Sequence, residues 1–357
     1  MRVQQQHIDW LERLCDVNVT STTLIQTLWS GYGECFRATF EHSSGQTSQL
    51  KLPTAVVVKC ASPANATSHP RGWNNNTGHQ RKLQSFIIEK AFYKYLQPLT
   101  SPQCYVPKHV ASESTNGNTM LVMEDLATIG FSHCASSLSI TQSETVLQWL
   151  AAFHAQFLVK RDAIHKNEVE VWQQGTYWHL ATRMDELAAM PDCELKHKAH
   201  ELDKALNNCT YQTLVHGDAK VANFCFTENF ENCAAVDFQY VGYGVGIKDV
   251  AYFLGSALTT DEQTTYLPHL LTIYFETLKN ALRNRNTQLE NQASSTPAPY
   301  PVLALSENDI AEVEKQWRRL FSFACADFHR FLSGWSPGHW KIDRFLQEQT
   351  ATALAQV

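Results

Sequence analysis

Short apolar runs separated by glycine and polar turns fill the amino-terminal part of the chain. Longer stretches with a helical apolar period fill most of the remainder. The opening MRVQQQHIDWLERLC reads as a helix. Leu24–Leu28 and Cys35–Phe40 flank the tight segment Ser30-Gly31-Tyr32-Gly33-Glu34, a pattern that predicts a hairpin with a glycine-containing loop. Ala55-Val56-Val57-Val58-Lys59 reads as a short buried strand with a lysine at its end. Pro63 to His79, rich in Asn, Thr, Gly and Pro, reads as a mobile loop. A helix is predicted from Lys82 to Gln97, where Pro98 stops it. Tyr105–Ala111 and Thr119–Met123 are further strand candidates.

Beyond residue 125 the period lengthens. Glu144–Leu158 carries Leu147, Leu150 and Phe157 at helical spacing. Three short strands interrupt the helices: Thr213-Leu214-Val215, Phe224-Cys225-Phe226 and Ala234-Ala235-Val236, with Glu228–Asn232 as the turn between the last two. Helices are predicted over Val250–Leu258, Leu267–Leu282, Glu307–Leu332 and Lys341–Leu354, with 284–302 as a polar, proline-containing linker. The pattern predicts an α+β chain of two lobes, 1–125 and 126–357, with a cleft between them.

Composition narrows the function classes. The 357 residues are 44% hydrophobic and 18% charged, which is globular and too apolar for a disordered chain. Twenty-nine basic against thirty-five acidic residues give a net charge of −6, so no nucleic-acid partner is expected. No apolar run approaches the ~18 residues of a membrane span, and the opening helix lacks the apolar core of a secretory signal. The ten cysteines are scattered without a C-x-x-C pair and read as reduced thiols. The expectation is a cytoplasmic protein with no membrane and no obligate protein partner.

The informative segment is His216-Gly217-Asp218-Ala219-Lys220-Val221-Ala222-Asn223, followed by Val236-Asp237-Phe238-Gln239. Asp218 and Asn223 lie in a loop between short strands, and Asp237 ends the next strand. Two carboxylates and an amide oxygen can thus converge on one point. Hard oxygen ligands of this kind suit Mg²⁺, which is held by few carboxylates together with substrate phosphates. Phosphoryl transfer needs such a metal clamp, an acceptor-orienting carboxylate and a lysine on the phosphates.

At these residues the chain resembles the protein-kinase-like superfamily, in its small-molecule branch of aminoglycoside, choline and ecdysteroid kinase-like phosphotransferases. The loop matches H-x-D-x-x-x-x-N, with Gly217 favouring that branch over protein kinases, and Val236-Asp237-Phe238-Gln239 stands where protein kinases have D-F-G. The resemblance covers roughly 25–345 and is strongest at 213–258. It implies a bilobal kinase-like fold, with ATP and Mg²⁺ in the cleft and a hydroxyl-bearing small molecule as acceptor. By the same resemblance Asp218 orients the acceptor hydroxyl and takes its proton, and Lys220 neutralises the γ-phosphate. Asn223 and Asp237 hold Mg²⁺. Lys59, paired with Glu89 on the next helix, contacts the α- and β-phosphates. Gly31 and Gly33 form the nucleotide-covering turn, although Phe36 stands where a third glycine would be. Backbone groups of Glu124 and Leu126 read adenine at the hinge.

Blander readings compete. Asp218, Asn223 and Asp237 each suit a turn when taken singly; their joint order and spacing is what argues for a site. Lys59–Glu89 could be a structural ion pair. His154 sits on an apolar helix face and reads as a core histidine, His216 as a scaffold residue, Asp249 as a brace for the loop. Trp335 and Trp340 suit packing between helices better than a pocket wall. Gly334-Trp335-Ser336-Pro337-Gly338 imitates the serine-hydrolase elbow, but Pro337 lacks the N–H that the oxyanion hole requires. The rival function is a non-catalytic nucleotide-binding or interaction protein; intact Lys59, Asp218, Asn223 and Asp237 argue against it.

Overall fold

The computed structural model describes residues 2–28, 31–41, 53–62, 76–164, 169–291 and 304–357. Helix α1 (Gln5–Cys15) presents His7, Trp10, Leu11 and Cys15 on one buried face. That face covers a five-stranded antiparallel sheet built from β1 (Asn18–Thr27), β2 (Gly33–Glu41), β3 (Ala55–Ala61), β4 (His109–Thr115) and β5 (Asn118–Glu124), in the order β1-β2-β3-β5-β4. Trp10 and Leu11 pack on Phe36, Ala38, Val56, Val58, Met120 and Val122. The alternate side chains of these strands therefore form one core layer.

Helix α2 (Asn76–Ala91) continues as a wider π turn over Phe92–Leu96 and a 3₁₀ turn over Gln97–Leu99, so the helical path ends at Pro98 as its sequence predicts. Its start differs from the expectation. Asn76–His79, read as loop, are helical, and His79 is tied to the Tyr32 hydroxyl at 2.7 Å. Pro63–Asn75 and Ser30 lie outside the described residues. The strand expected over Tyr105–Ala111 instead spans His109–Thr115. Tyr105 is drawn away to bridge Ala234, its carbonyl accepting from Ala235 N–H and from Trp149 Nε1–H.

The carboxy-terminal part is mainly helical. Its elements are β6 (His133–Cys134), α3 (Ile140–Gln156), β7 (Val159–Lys160), α4 (Met184–Ala189), α5 (Glu194–His197), α6 (Ala199–Asn207), β8 (Tyr211–Val215), β9 (Phe224–Phe226), β10 (Cys233–Ala235), β11 (Gly242–Gly244), α7 (Ile247–Ala257), α8 (Thr260–Asn291), α9 (Glu307–Trp335) and α10 (Arg344–Leu354). The short strands form two three-stranded sheets, β10-β9-β6 and β11-β8-β7. The linker expected at 284–302 is helical as far as Asn291. Its polar residues serve neighbouring elements: Arg285 donates to the carbonyls of Ala155 and Leu158, and the Asn286 amide bonds both backbone groups of Leu305. The rest of that expectation, 292–302, lies outside the described residues. Among the described residues no helix is long and apolar enough to cross a membrane.

Candidate active site

The loop after β8 is held from behind. Every residue of β8 is buried, and the chain leaves it at His216. The buried Asp249 carboxylate on α7 accepts the N–H groups of His216 and Gly217, the latter at 3.0 Å, and lies 3.1 Å from His154 Nε2. His216 Nε2 donates to the Val236 carbonyl at 2.9 Å, leaving Nδ1 to accept from Asp218 N–H at 3.2 Å. Gly217 has φ +82°, and a Cβ there would lie 2.1 Å from the Tyr240 carbonyl oxygen, so only glycine fits. These constraints aim Asp218. One of its carboxylate oxygens accepts from Tyr252 OH at 3.1 Å; the other accepts from Lys220 Nζ at 2.9 Å and Asn223 Nδ2 at 3.1 Å. Burial and the adjacent Asp218 carboxylate push the Tyr252 phenol well up, so its hydroxyl stays a donor.

A second group faces this one. Val236 N–H donates to the Asn223 carbonyl at 2.9 Å, which sets the two loops side by side. Asp237 adopts the left-handed backbone region at φ +69°, while Phe238 is fully buried and stacks on Phe92 at 3.9 Å between centroids. Lys59 Nζ bridges Glu89 at 2.8 Å and Asp237 at 2.9 Å. The Asp237 loop, β3 and α2 thus meet at one ammonium. Burial disfavours that ammonium, but Asp237 and Glu89 outweigh the cost and hold it above the usual lysine range. Burial likewise opposes ionisation of Asp237, yet Lys59, Lys82 and Lys220 hold its carboxyl well below the usual carboxylate range. For Glu89 burial wins and the carboxyl is raised.

At the rim, Gly31 (φ +74°) and Gly33 (φ +143°) form the turn into β2, and a Cβ at Gly33 would meet the Cys60 carbonyl oxygen at 1.9 Å. Glu34 beside them is clamped by α1, accepting from Gln4 N–H at 2.9 Å and pairing with His7 Nδ1 at 2.6 Å. At the end of β5, Glu124 N–H donates to the Lys108 carbonyl and the Glu124 carboxylate accepts from Tyr105 OH at 2.7 Å. Between Glu124 and Leu126, the buried Asp125 receives both Nε and Nη2 of Arg37 on β2. That planar, two-point pairing fixes the connecting segment against the sheet.

A family model for the ecdysteroid kinase-like family matches residues 34–184 and 165–287. The chain belongs to the ecdysteroid kinase-like family. No curated protein matches it. Among solved structures it is similar to a candidate aminoglycoside phosphotransferase from Ralstonia eutropha JMP134, at 11% identity and TM-score 0.50, covering 99% of this chain and 96% of that one. An amicoumacin kinase in complex with AMP-PNP and Ca²⁺ matches at 12% identity and TM-score 0.48, covering 99% and 92%. A microcompartment-associated aminopropanol kinase matches at 13% and 0.47, covering 99% and 94%. With its β-sheet-rich amino-terminal and helical carboxy-terminal parts and its likeness to the first of these structures, this family member has the bilobal kinase-like fold.

Three features of this kinase-like chain were not singled out from sequence. Tyr252 donates to Asp218 from α7; Lys82 adds positive charge at Asp237 and bonds the Gln239 side chain at 2.5 Å; Arg37 anchors Asp125. Each is a long-range pairing of common residue types, and only the spacing of Asp125 between the two expected hinge residues hinted at one of them. Trp335 does pack, stacking on Phe331, but Trp340 is 71% exposed rather than packed between helices. Among the described residues no cluster of three or more His, Cys, Asp or Glu side chains could hold a metal ion. The donor set still fits a metal shared with substrate. Asn223 commits its Nδ2 to Asp218, which leaves the amide oxygen as its ligating atom, and Asp237 is ionised and about 31% exposed. One carboxylate and one amide oxygen, completed by phosphate and water oxygens, match the coordination habit of Mg²⁺.

Proposed function

We propose that this protein transfers the γ-phosphate of ATP to a hydroxyl of a small molecule, in a Mg²⁺-dependent reaction. The observation that carries the reading is the convergence of Glu89, Lys59 and Asp237 in one hydrogen-bonded chain beside Asp218, Lys220 and Asn223 in another. Residues 1–125 form the nucleotide-binding lobe in this reading and 126–357 the catalytic and acceptor-binding lobe. Glu124 and Leu126 supply backbone groups to adenine, and Gly31 and Gly33 let the β1–β2 turn approach the phosphates.

Asn223 and Asp237 would hold Mg²⁺, which would supply neutralisation of charge on the phosphates. Lys59, aligned by Glu89, binds the α- and β-phosphates. Asp218, fixed by Tyr252 and Asn223, orients the acceptor hydroxyl and takes its proton as the oxygen attacks. Lys220 leaves the Asp218 carboxylate for the transferred phosphoryl group, where its ammonium stabilises developing charge.

The test is an ATP-consumption screen over alcohols, sugars, amino alcohols, steroids and hydroxy acids, followed by Asp218→Asn on the best acceptor. Asp218→Asn should keep Mg·ATP affinity and lower kcat about 10²-fold or more. Absence of Mg·ATP binding by calorimetry, or an unchanged kcat in the variant, would overturn the reading.

A further inference from the structure

On the Tyr252 side of Asp218 lies a cation with no acidic partner within ion-pair distance among the described residues. Lys341, between α9 and α10, places Nζ 4.5 Å from the centroid of the Tyr252 ring, 5.5 Å from Trp340 and 5.8 Å from Phe328. The Tyr252 hydroxyl is the group that bonds Asp218 at 3.1 Å. Lysine and candidate proton acceptor therefore sit on the face and the hydroxyl edge of one aromatic ring. Among the described residues no carboxylate lies within ion-pair distance of Lys341. The next cations do not share this freedom: Lys220 is on Asp218, and Arg183, over the Phe331 ring, is paired with Glu186 at 2.8 Å. Burial pushes the Lys341 ammonium down to about 8, Asp218 opposing and Lys220 assisting. At pH 7, below that value, the ammonium is the main form.

Aromatic rings extend from this point. Tyr177 meets Tyr252 edge-on at 5.7 Å and Phe331 at 5.4 Å, and Phe331 stacks on Trp335 at 5.6 Å. The partly exposed rings of this cluster, Tyr177, Trp335 and Trp340, would suit the ammonium of an amine ligand, but the chain's own lysine already occupies the Tyr252 face. A second cation there meets like-charge repulsion. A carboxylate, sulfate or phosphate gains a charge-assisted hydrogen bond from an ammonium that has no acidic partner. Position 341 also lies beyond the 34–287 span that the family model matches.

We propose that Lys341 determines acceptor specificity, selecting hydroxyl compounds that carry an anionic group on an apolar body and rejecting amino alcohols. The inference rests on the phosphotransferase reading of the same cleft. Its competitor is a lysine that only covers aromatic surface with its stem.

The experiment uses the full chain saturated with a non-hydrolysable Mg·ATP analogue. The probes are 4-(hydroxymethyl)benzoate and 4-(hydroxymethyl)benzylamine, which share ring and hydroxyl and differ in charge. Calorimetry at pH 7 should find the benzoate bound at least about tenfold more tightly, the scale of one charge-assisted contact. Lys341→Met should abolish the difference and Lys341→Glu should reverse it, with nucleotide affinity as the control for folding. Equal binding of the two probes, preference for the amine, binding of neither, or a benzoate preference that survives Lys341→Met would each overturn the proposal. Failure of the analogue itself to bind would take down the phosphotransferase reading and this inference together, whereas analogue binding without charge preference removes only the inference.

Discussion

Asp249→Asn replaces one carboxylate oxygen with an NH₂ group at the back of the Asp218 loop and keeps the shape of the side chain. In the native chain one carboxylate oxygen accepts Gly217 N–H at 3.0 Å; the other accepts His216 N–H and faces His154 Nε2 at 3.1 Å. An asparagine offers one acceptor. If it keeps Gly217, its NH₂ confronts the His216 N–H, donor against donor, in a site with no exposure to water. His154 can adjust, since its Nδ1 faces the Tyr274 hydroxyl at 2.8 Å and that hydroxyl can accept as well as donate. His216 N–H is part of the backbone and cannot. The loss is one hydrogen bond to a charged acceptor and one stranded buried donor, each about 1.5–3 kcal/mol, with overlap between them. We expect about 3 kcal/mol of destabilisation. With a urea dependence of about 3 kcal/mol per M, the upper range for small proteins, the unfolding midpoint falls by about 1 M. Equilibrium unfolding followed by tryptophan fluorescence reads this directly. A midpoint within about 0.2 M of wild type would show that Asp249 does not brace the loop, and the account of how Asp218 is aimed would have to be abandoned.

Gly217→Ala places a Cβ against the Tyr240 carbonyl at a φ of +82°, so it should cost about 3 kcal/mol or more, and a variant with wild-type melting would contradict the geometry. Lys59→Met leaves the buried Glu89 carboxylate without its cation and removes one of the three ammonium groups around Asp237. It should destabilise the fold by about 3–5 kcal/mol, with Glu89→Gln in the same chain recovering about 1 kcal/mol or more; a double-mutant cycle with no coupling would refute the bridge. Burial, helped by Lys248, pushes His179 down to about 3, against about 6.5 in the unfolded chain. Between those values only the unfolded state takes the proton, so the contribution is complete above pH 6.5 and is lost as pH falls. The loss is about 2 kcal/mol by pH 5. His179→Gln should lose correspondingly less stability between pH 7 and pH 5, and equal losses in the two proteins would remove His179 from the acid response.

The sequence pointed to the candidate site more clearly than to its supports. Asp218, Asn223 and Asp237 were legible because each must stand at a fixed offset along one short stretch, and local spacing survives without a structure. Glu89 was legible because a carboxylate on an apolar helix face requires a cation, and Lys59 through the family resemblance, although β3 runs on to Ala61 instead of ending at Lys59 as expected. Tyr252, Lys82 and Lys341 gave no such signal, because a tyrosine or lysine on an amphipathic helix or loop is ordinary until another element arrives beside it. The same physics explains the misread segments. Residues 284–291 look like a linker in isolation, yet Arg285 and Asn286 spend their polar groups on carbonyls and N–H groups far away in the chain. His79 extends α2 through a bond to Tyr32, which no local period announces. Strong apolar periods located the helices of the second lobe, while their ends were set by tertiary hydrogen bonds.

Glu89 and Phe92 stand three residues apart at the end of α2 and the start of its π turn. Glu89 grips Lys59 and Phe92 stacks on Phe238, whose neighbour Asp237 grips the same lysine. The helix is therefore closed into a mechanical loop through the opposite lobe. Rotating it far enough to free the carboxylate also pries apart two aromatic faces and drags on Asp237. Positions that a looser design would let vary independently share a single degree of freedom. The two carboxylates are thereby coupled: displacing either one disturbs the ammonium that the other holds.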